Sequence, residues 1–160
     1  MAETRELPLW VRTYLLAYKW RQIDPVPWAQ PRKRLQDMKV ALVSTAGMVL
    51  PGQAPFDDDV KGGDWSYREI PTDTDPRTLI ETHRSKSFDH AGIQSDPNLG
   101  FPLDRLRELQ SEGHLGALNH RHFSFMGSIT APGRLMQETA PAVAEKLVAD
   151  GVDAVLLVPV

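Results

Sequence analysis

Val152-Asp153-Ala154-Val155-Leu156-Leu157-Val158-Pro159-Val160 closes the 160-residue sequence. The run is apolar at nearly every position from Val152 on, which is the pattern of a strand buried on both faces of a parallel sheet rather than the alternation of a half-exposed one. In open α/β sheets such a strand leads into a loop and helix, and ligands and reactive groups collect at the carboxyl ends of the strands. The expectation is a sheet incomplete at its C-terminus, with the sequence stopping at the reactive edge.

Upstream, Gly151 ends a helical stretch running to Asp150, whose buried side is Ala144, Leu147 and Val148. Pro141 either kinks that helix or restarts it with Thr139 as N-cap. A turn with Gly127 and Gly133 precedes it, and before that Ala117 to Phe125 reads as a strand. A first apolar run, Lys39-Val40-Ala41-Leu42-Val43-Ser44-Thr45, matches the last one in character, and Ala46 to Gly52 is its exit loop. Gly47 there lets backbone N–H groups approach an anion, a weaker signal than a Gly-rich fingerprint. Strand, helix, strand in this order implies a right-handed parallel crossover. The fold class is α/β, a parallel Rossmann/flavodoxin-like sheet.

The N-terminal segment has a different period. Leu7, Trp10, Val11, Tyr14 and Tyr18 recur at helical spacing, so Leu7 to Arg21 is expected to be an amphipathic helix with its aromatic stripe packed as core. Prolines at 25, 27 and 31 disfavour helix in the residues before them and mark a linker at about residues 24–37. The division is 1–38, helix and Pro-rich linker, and 39–160, the α/β domain.

With 41% hydrophobic and 24% charged residues the chain has the composition of a folded globular domain, not of a disordered or collagen-like one. Tyr14 to Tyr18, the longest apolar run near the N-terminus, falls far short of the roughly 20 residues that cross a bilayer, and no signal peptide is legible. A cytoplasmic protein with no membrane partner is expected. Residues 1–39 hold eight Lys/Arg against four Asp/Glu and the rest ten against seventeen, so 4 − 7 gives the net −3. The basic arm lies either on its own acidic domain or on another subunit; an overall acidic chain makes no case for nucleic acid. There is no cysteine, which excludes disulfides, thiolate metal sites and a cysteine nucleophile within these residues.

Ser66 to Ile70 and Leu79 to His83 read as short strands, and Pro102 to Gly113 as a helix with Leu103, Leu106 and Leu109 on one face. Between them, His83 to Pro102 is dense in hydrogen-bonding groups without any regular period, as expected of a functional loop. If 117–125 is one strand, His120 and His122 share a face. With His83, His90 and His114 they allow three readings: a zinc site, imidazoles lining a polar cleft, or incidental surface groups. Asp57-Asp58-Asp59 points its carboxylates in different directions and reads as a solvated acidic loop, so no metal is assigned.

Taken in order, Lys39-Val-Ala-Leu-Val-Ser-Thr-Ala-Gly, His83 with Phe88-Asp89, Asp96-Pro97-Asn98 before Phe101-Pro102-Leu103-Asp104-Arg105-Leu106, Gly113-His114-Leu115-Gly116, Phe125-Met126-Gly127 and Gly151-Val-Asp-Ala-Val-Leu-Leu-Val-Pro-Val resemble the B-type selenoprotein subunits of glycine, sarcosine, betaine and D-proline reductases. The resemblance spans 39–160 and is nearest in style to the short D-proline form.

That resemblance implies reductive C–N bond cleavage by a selenolate, or a thiolate in its place, just after Val160. Selenocysteine is encoded by UGA, so the expectation is that Val160 is the residue before such a codon and that the reading frame was closed prematurely there, the chain being inactive alone. It further implies a pyruvoyl group on a partner subunit, a dithiol reductant and a small amino acid or betaine as substrate, with no cofactor in this chain. The implied catalytic candidates are His83, Asp89, His90 and His122, with Asp96, Asn98 and Gly47 for substrate binding. Two other readings stay open: a non-catalytic α/β binding or assembly subunit, and a zinc hydrolase built on the histidines.

Overall fold

β1 (Lys39–Ser44) runs through the middle of the sheet, and its alternation sets the layers. The computed structural model describes residues 7–18, 22–85 and 90–160. After β1 come β2 (Met48–Val49), β3 (Tyr67–Pro71), β4 (Ile80–Glu81), β5 (Ala117–Leu118), β6 (Arg121–Phe125) and β7 (Ala154–Val158). Parallel to β1 lie β5 and β6, which share one of its flanks end to end, and β7, which pairs with it from Val40↔Ala154 to Ser44↔Val158. β3 is antiparallel on the far side of β6. β2 and β4 form a separate two-stranded piece.

Side chains alternate along β1. Leu42 belongs to a core layer with Ile70, Ile93, Phe101, Leu103 and Leu106, formed under the helices α2 (His90–Ser95) and α3 (Leu103–Ser111). Ala41, on the other face, packs with Phe123, Phe125, Val143 and Leu147 beneath α4 (Ala140–Ala149). Burial on both faces is why β1 reads as continuous apolar sequence, and fully buried side chains such as Leu42 and Phe123 each contribute about 1.5–3 kcal/mol. The result is α/β with a mostly parallel central sheet and an N-terminal helix, as the sequence predicts.

The terminal run differs from its expected burial. β7 pairs only with β1 among the described residues, so it is an edge strand, and Leu157 is 68% exposed with Val155 and Leu156 also in contact with solvent. The loop expected over 83–102 contains the short helix α2 and a 3₁₀ turn, Pro97–Leu99. Upstream of α4, Leu135–Thr139 is a π-helical turn that runs straight into it. Thr139 stays helical and donates its hydroxyl to Trp65 O at 2.6 Å, so it does not cap a new helix. Pro141, lacking an N–H, is accommodated where the hydrogen-bond spacing changes.

The chain divides into two compact units, 1–30 and 31–160. In the first, α1 (Leu9–Ala17) has no buried residue, and Trp10, Tyr14 and Tyr18 are exposed. Within this unit the aromatic stripe expected in a core is exposed, the Tyr14 and Tyr18 rings meeting at a tilt of 49° with centroids 5.8 Å apart. Residues 19–21 of the expected helix lie outside the described residues. In the second unit the segment ahead of β1 is tied to the sheet: Gly116 N–H donates to Leu35 O, and Lys33 pairs with Asp153 at 2.8 Å.

Candidate functional site at the carboxyl edge of the sheet

The carboxyl ends of β1, β6 and β7 converge. Thr45, just past β1, donates its N–H to Val158 O at 3.0 Å and accepts the Val160 N–H on its hydroxyl at 2.8 Å. Gly127, just past β6, lies so close that a Cβ there would sit 2.5 Å from Val160 O and 3.1 Å from Thr45 O. Two residues beyond Thr45, Gly47 turns with φ +69°, a backbone conformation that favours glycine, and a Cβ on it would come within 3.1 Å of the His83 nitrogen. Thr82 locks this approach by donating both its N–H and its hydroxyl to Gly47 O. Thr45 and Gly47 are at most about 7 Å apart along the backbone, so Val160 and His83 belong to one edge.

His83 is buried. Its Nδ1 accepts the Ser85 N–H at 3.2 Å, which places the proton of the neutral ring on Nε2. Burial, helped by the neighbouring His90, holds its imidazole below the ordinary histidine pKa against the pull of Glu81 and Asp58. The ring is therefore neutral at pH 7 and a hydrogen-bond donor through Nε2. Beside it opens a cleft of about 480 Å³ lined by Phe56, Asp57, Asp58, Glu81, Thr82 and His83. Two members of the acidic run thus face a concave surface, while Asp57 also accepts the Asp59 N–H at 2.9 Å.

His90, the first residue of α2, joins this cluster through Glu81. Its Nδ1 is 2.8 Å from Glu81 Oε2 and its Nε2 is 2.9 Å from Ser85 O. The second Glu81 oxygen accepts the His83 N–H. Glu81 is the participant that reading the sequence passed over; the signal available was a carboxylate two residues before His83 on an extended segment.

The other candidates fall elsewhere. His122 is fully buried in the sheet, its Nδ1 accepting the Leu42 N–H at 3.0 Å and its Nε2 bonded to the Thr72 hydroxyl at 3.0 Å. With Nδ1 an acceptor, Nε2–H is the donor to Thr72. Burial and the Arg107 charge push its pKa down to about 4. Both nitrogens are committed to structure, apart from the His83 cluster. Nor do His120 and His122 share a face: the break between β5 and β6 leaves His120 exposed, 3.9 Å from Asp150. Among the described residues no group of three or more His, Cys, Asp or Glu side chains is arranged to hold a metal.

Asp96 and Asn98 build a local cap. Asp96 Oδ1 accepts the Asn98 N–H at 3.0 Å, and Asn98 bridges to Asp104, accepting its N–H and donating to its carboxylate. This network satisfies an orphan donor in the first turn of α3. Asp89 lies outside the described residues.

The glycine/sarcosine/betaine reductase selenoprotein B family model matches residues 9–160. D-proline reductase subunit gamma of Acetoanaerobium sticklandii is 37% identical over 84% of this chain and 54% of its own length. Sarcosine reductase complex component B subunit beta of Peptoclostridium acidaminophilum is 30% identical over 88% of this chain and 32% of that protein. Glycine reductase complex component B subunit gamma of Symbiobacterium thermophilum is 30% identical over 90% and 33%. The chain thus spans about half the length of the first relative and about a third of the others. No solved structure gives a significant match. No helix among the described residues is long and apolar enough to cross a membrane. By a match over nearly its whole length, the chain belongs to the glycine/sarcosine/betaine reductase selenoprotein B family.

Proposed function

We propose that this chain is the N-terminal portion of a B-type subunit of a D-proline, glycine or betaine-type reductase, cleaving a C–N bond reductively with a selenolate or thiolate that follows Val160. The observation that carries this reading is the convergence of Val160, Thr45, Gly127, Gly47 and His83 at the carboxyl edge of a parallel sheet. A residue after Val160 would emerge at that edge, where open α/β sheets concentrate their chemistry. The exposed outer side of β7 is compatible with further sheet being added by the remaining length seen in the relatives.

When present, the selenolate supplies the nucleophile and the partner's pyruvoyl carbonyl the activation of the amine, with a dithiol as reductant. The residues of this chain hold and orient. His83, neutral and protonated on Nε2, is a hydrogen-bond donor at the reacting edge. Asp57 and Asp58 present carboxylates to a cationic nitrogen entering the cleft, with the Phe56 ring as its apolar wall. Gly47 lets the β1 loop approach without a side chain between it and His83.

A non-catalytic binding or assembly role is favoured by one fact, that these residues include no cysteine to act as nucleophile. The test is His83→Gln in the full-length protein assembled with its partner subunit. Turnover is expected to fall by more than about tenfold, as on loss of a positioned hydrogen-bond donor, whereas an unchanged rate removes His83 from the mechanism.

A further inference from the structure

Glu81 is nearly buried and makes two bonds: one oxygen takes the His83 N–H and the other faces His90 Nδ1. His90 Nε2 faces the carbonyl oxygen of Ser85, which can only accept. A neutral imidazole has one N–H and can donate in one direction only; donating in both requires the doubly protonated ring. Glu81 already accepts from His83, so an ionised carboxylate satisfies every contact. The geometry points to His90 as an imidazolium locked in an ion pair with Glu81, a pair that positions the His83 segment.

The positioning follows from what the pair grips. Glu81 holds the segment at the His83 nitrogen, His90 holds it at the Ser85 carbonyl, and Ser85 N–H in turn orients the His83 ring through Nδ1. Among the described residues, the pair is acted on by the Ser85 carbonyl and the His83 ring from the loop after β4, while Asp58 acts on His83 from the acidic loop. A charge-assisted bond of this kind is roughly twice as strong as a neutral one, which suits it to holding a loop end. The inference rests on the reductase reading only for its functional consequence; the charge state of His90 stands or falls on its own.

The test combines spectroscopy with kinetics. In the ¹⁵N-histidine-labelled protein at neutral pH, both His90 ring nitrogens are expected to show the shifts of protonated nitrogen, and in Glu81→Gln one of them is expected to lose its proton. In the assembled full-length enzyme, Glu81→Gln and His90→Gln are each expected to lower kcat by about tenfold or more with KM changed less than about threefold, the range of partners that orient a working group. A neutral His90 in the unsubstituted protein, with its proton on Nε2 alone, overturns the ion pair. Unchanged kcat in both variants overturns the positioning role. If the unsubstituted assembly shows no reductase activity, the reading of function fails while the ring spectrum still decides the pair.

Discussion

Gly47 lies so close to His83 that a β-carbon on it would come within 3.1 Å of the His83 nitrogen and 3.2 Å of its Cα. Gly47→Ala therefore meets two penalties: a left-handed φ of +69°, worth about 1–2 kcal/mol for a residue with a side chain, and displacement of the His83 backbone. Gly52, with φ +87° and nothing within 4 Å, meets the first alone. Both alanine variants are expected to melt a few degrees lower, but only Gly47→Ala is expected to depress turnover of the assembled enzyme. Equal turnover in the two would detach the β1 loop from the site.

His122 predicts a pH dependence of stability. Its folded pKa of about 4 is below the ordinary value of 6.5, so between those pH values the unfolded chain binds more protons than the folded one. Stability is then full above pH 6.5 and lost as pH falls toward 4, on the order of 3 kcal/mol in all. His122→Asn keeps an acceptor for the Leu42 N–H and cannot titrate. Urea denaturation at pH 7 and pH 4.5 is expected to show a smaller difference for this variant than for the unsubstituted chain; the same difference in both would move the titration to another group.

A second, more acidic window belongs to Asp150. Arg121 grips its carboxylate with two bonds of 2.8 Å and Asn119 adds a third at 3.0 Å, together holding its pKa down to about 2. Because the folded value is depressed, the stability it contributes is present above the ordinary carboxylate pKa of 3.8 and is lost as pH falls from there to about 2. Asp150→Asn is expected to be less stable at pH 7 by about 1–3 kcal/mol and to lose less on acidification, read from thermal melts across pH 2 to 5. A variant as stable as the parent at pH 7 would show the Arg121 network to be energetically idle.

Among the described residues the outer side of β7 has no strand partner, and Leu157 and Val155 are exposed, the combination that recruits other chains. The 160-residue product is expected to self-associate in light scattering, and Leu157→Lys to reduce the associated fraction several-fold. A monodisperse, cooperatively melting monomer would contradict this.

What the sequence revealed depended on how many residues carried each signal. The runs at 39–44 and 154–158 are legible as strands because a short, unbroken apolar run is the pattern of a parallel strand, and the two pair with each other over five residues. Gly113 and Gly151, at φ +76° and +71°, end α3 and α4 where expected. α2 was hidden because it has six residues and one buried side chain, Ile93, too few for a period to show. The separation of His120 from His122 was hidden because a two-residue period assumes an unbroken strand, and Asn119 breaks it by turning its amide onto Arg121 O. The exposure of β7 could not be read at all: a run of apolar residues is the same text at the centre of a sheet and at its rim. His83 and Gly47 each stand out singly in the sequence, but their contact across 36 residues, and the Glu81 carboxylate that binds His83 to His90, exist only once the chain is folded.

The measurement that bears most directly on a nucleophile at this edge is the intact mass and C-terminal peptide sequence of the protein isolated from its source cells. A species longer than 17.9 kDa, carrying selenium or sulfur in the residues that directly follow Val160, is expected. A mature chain that ends at Val160 in cells with reductase activity would contradict it.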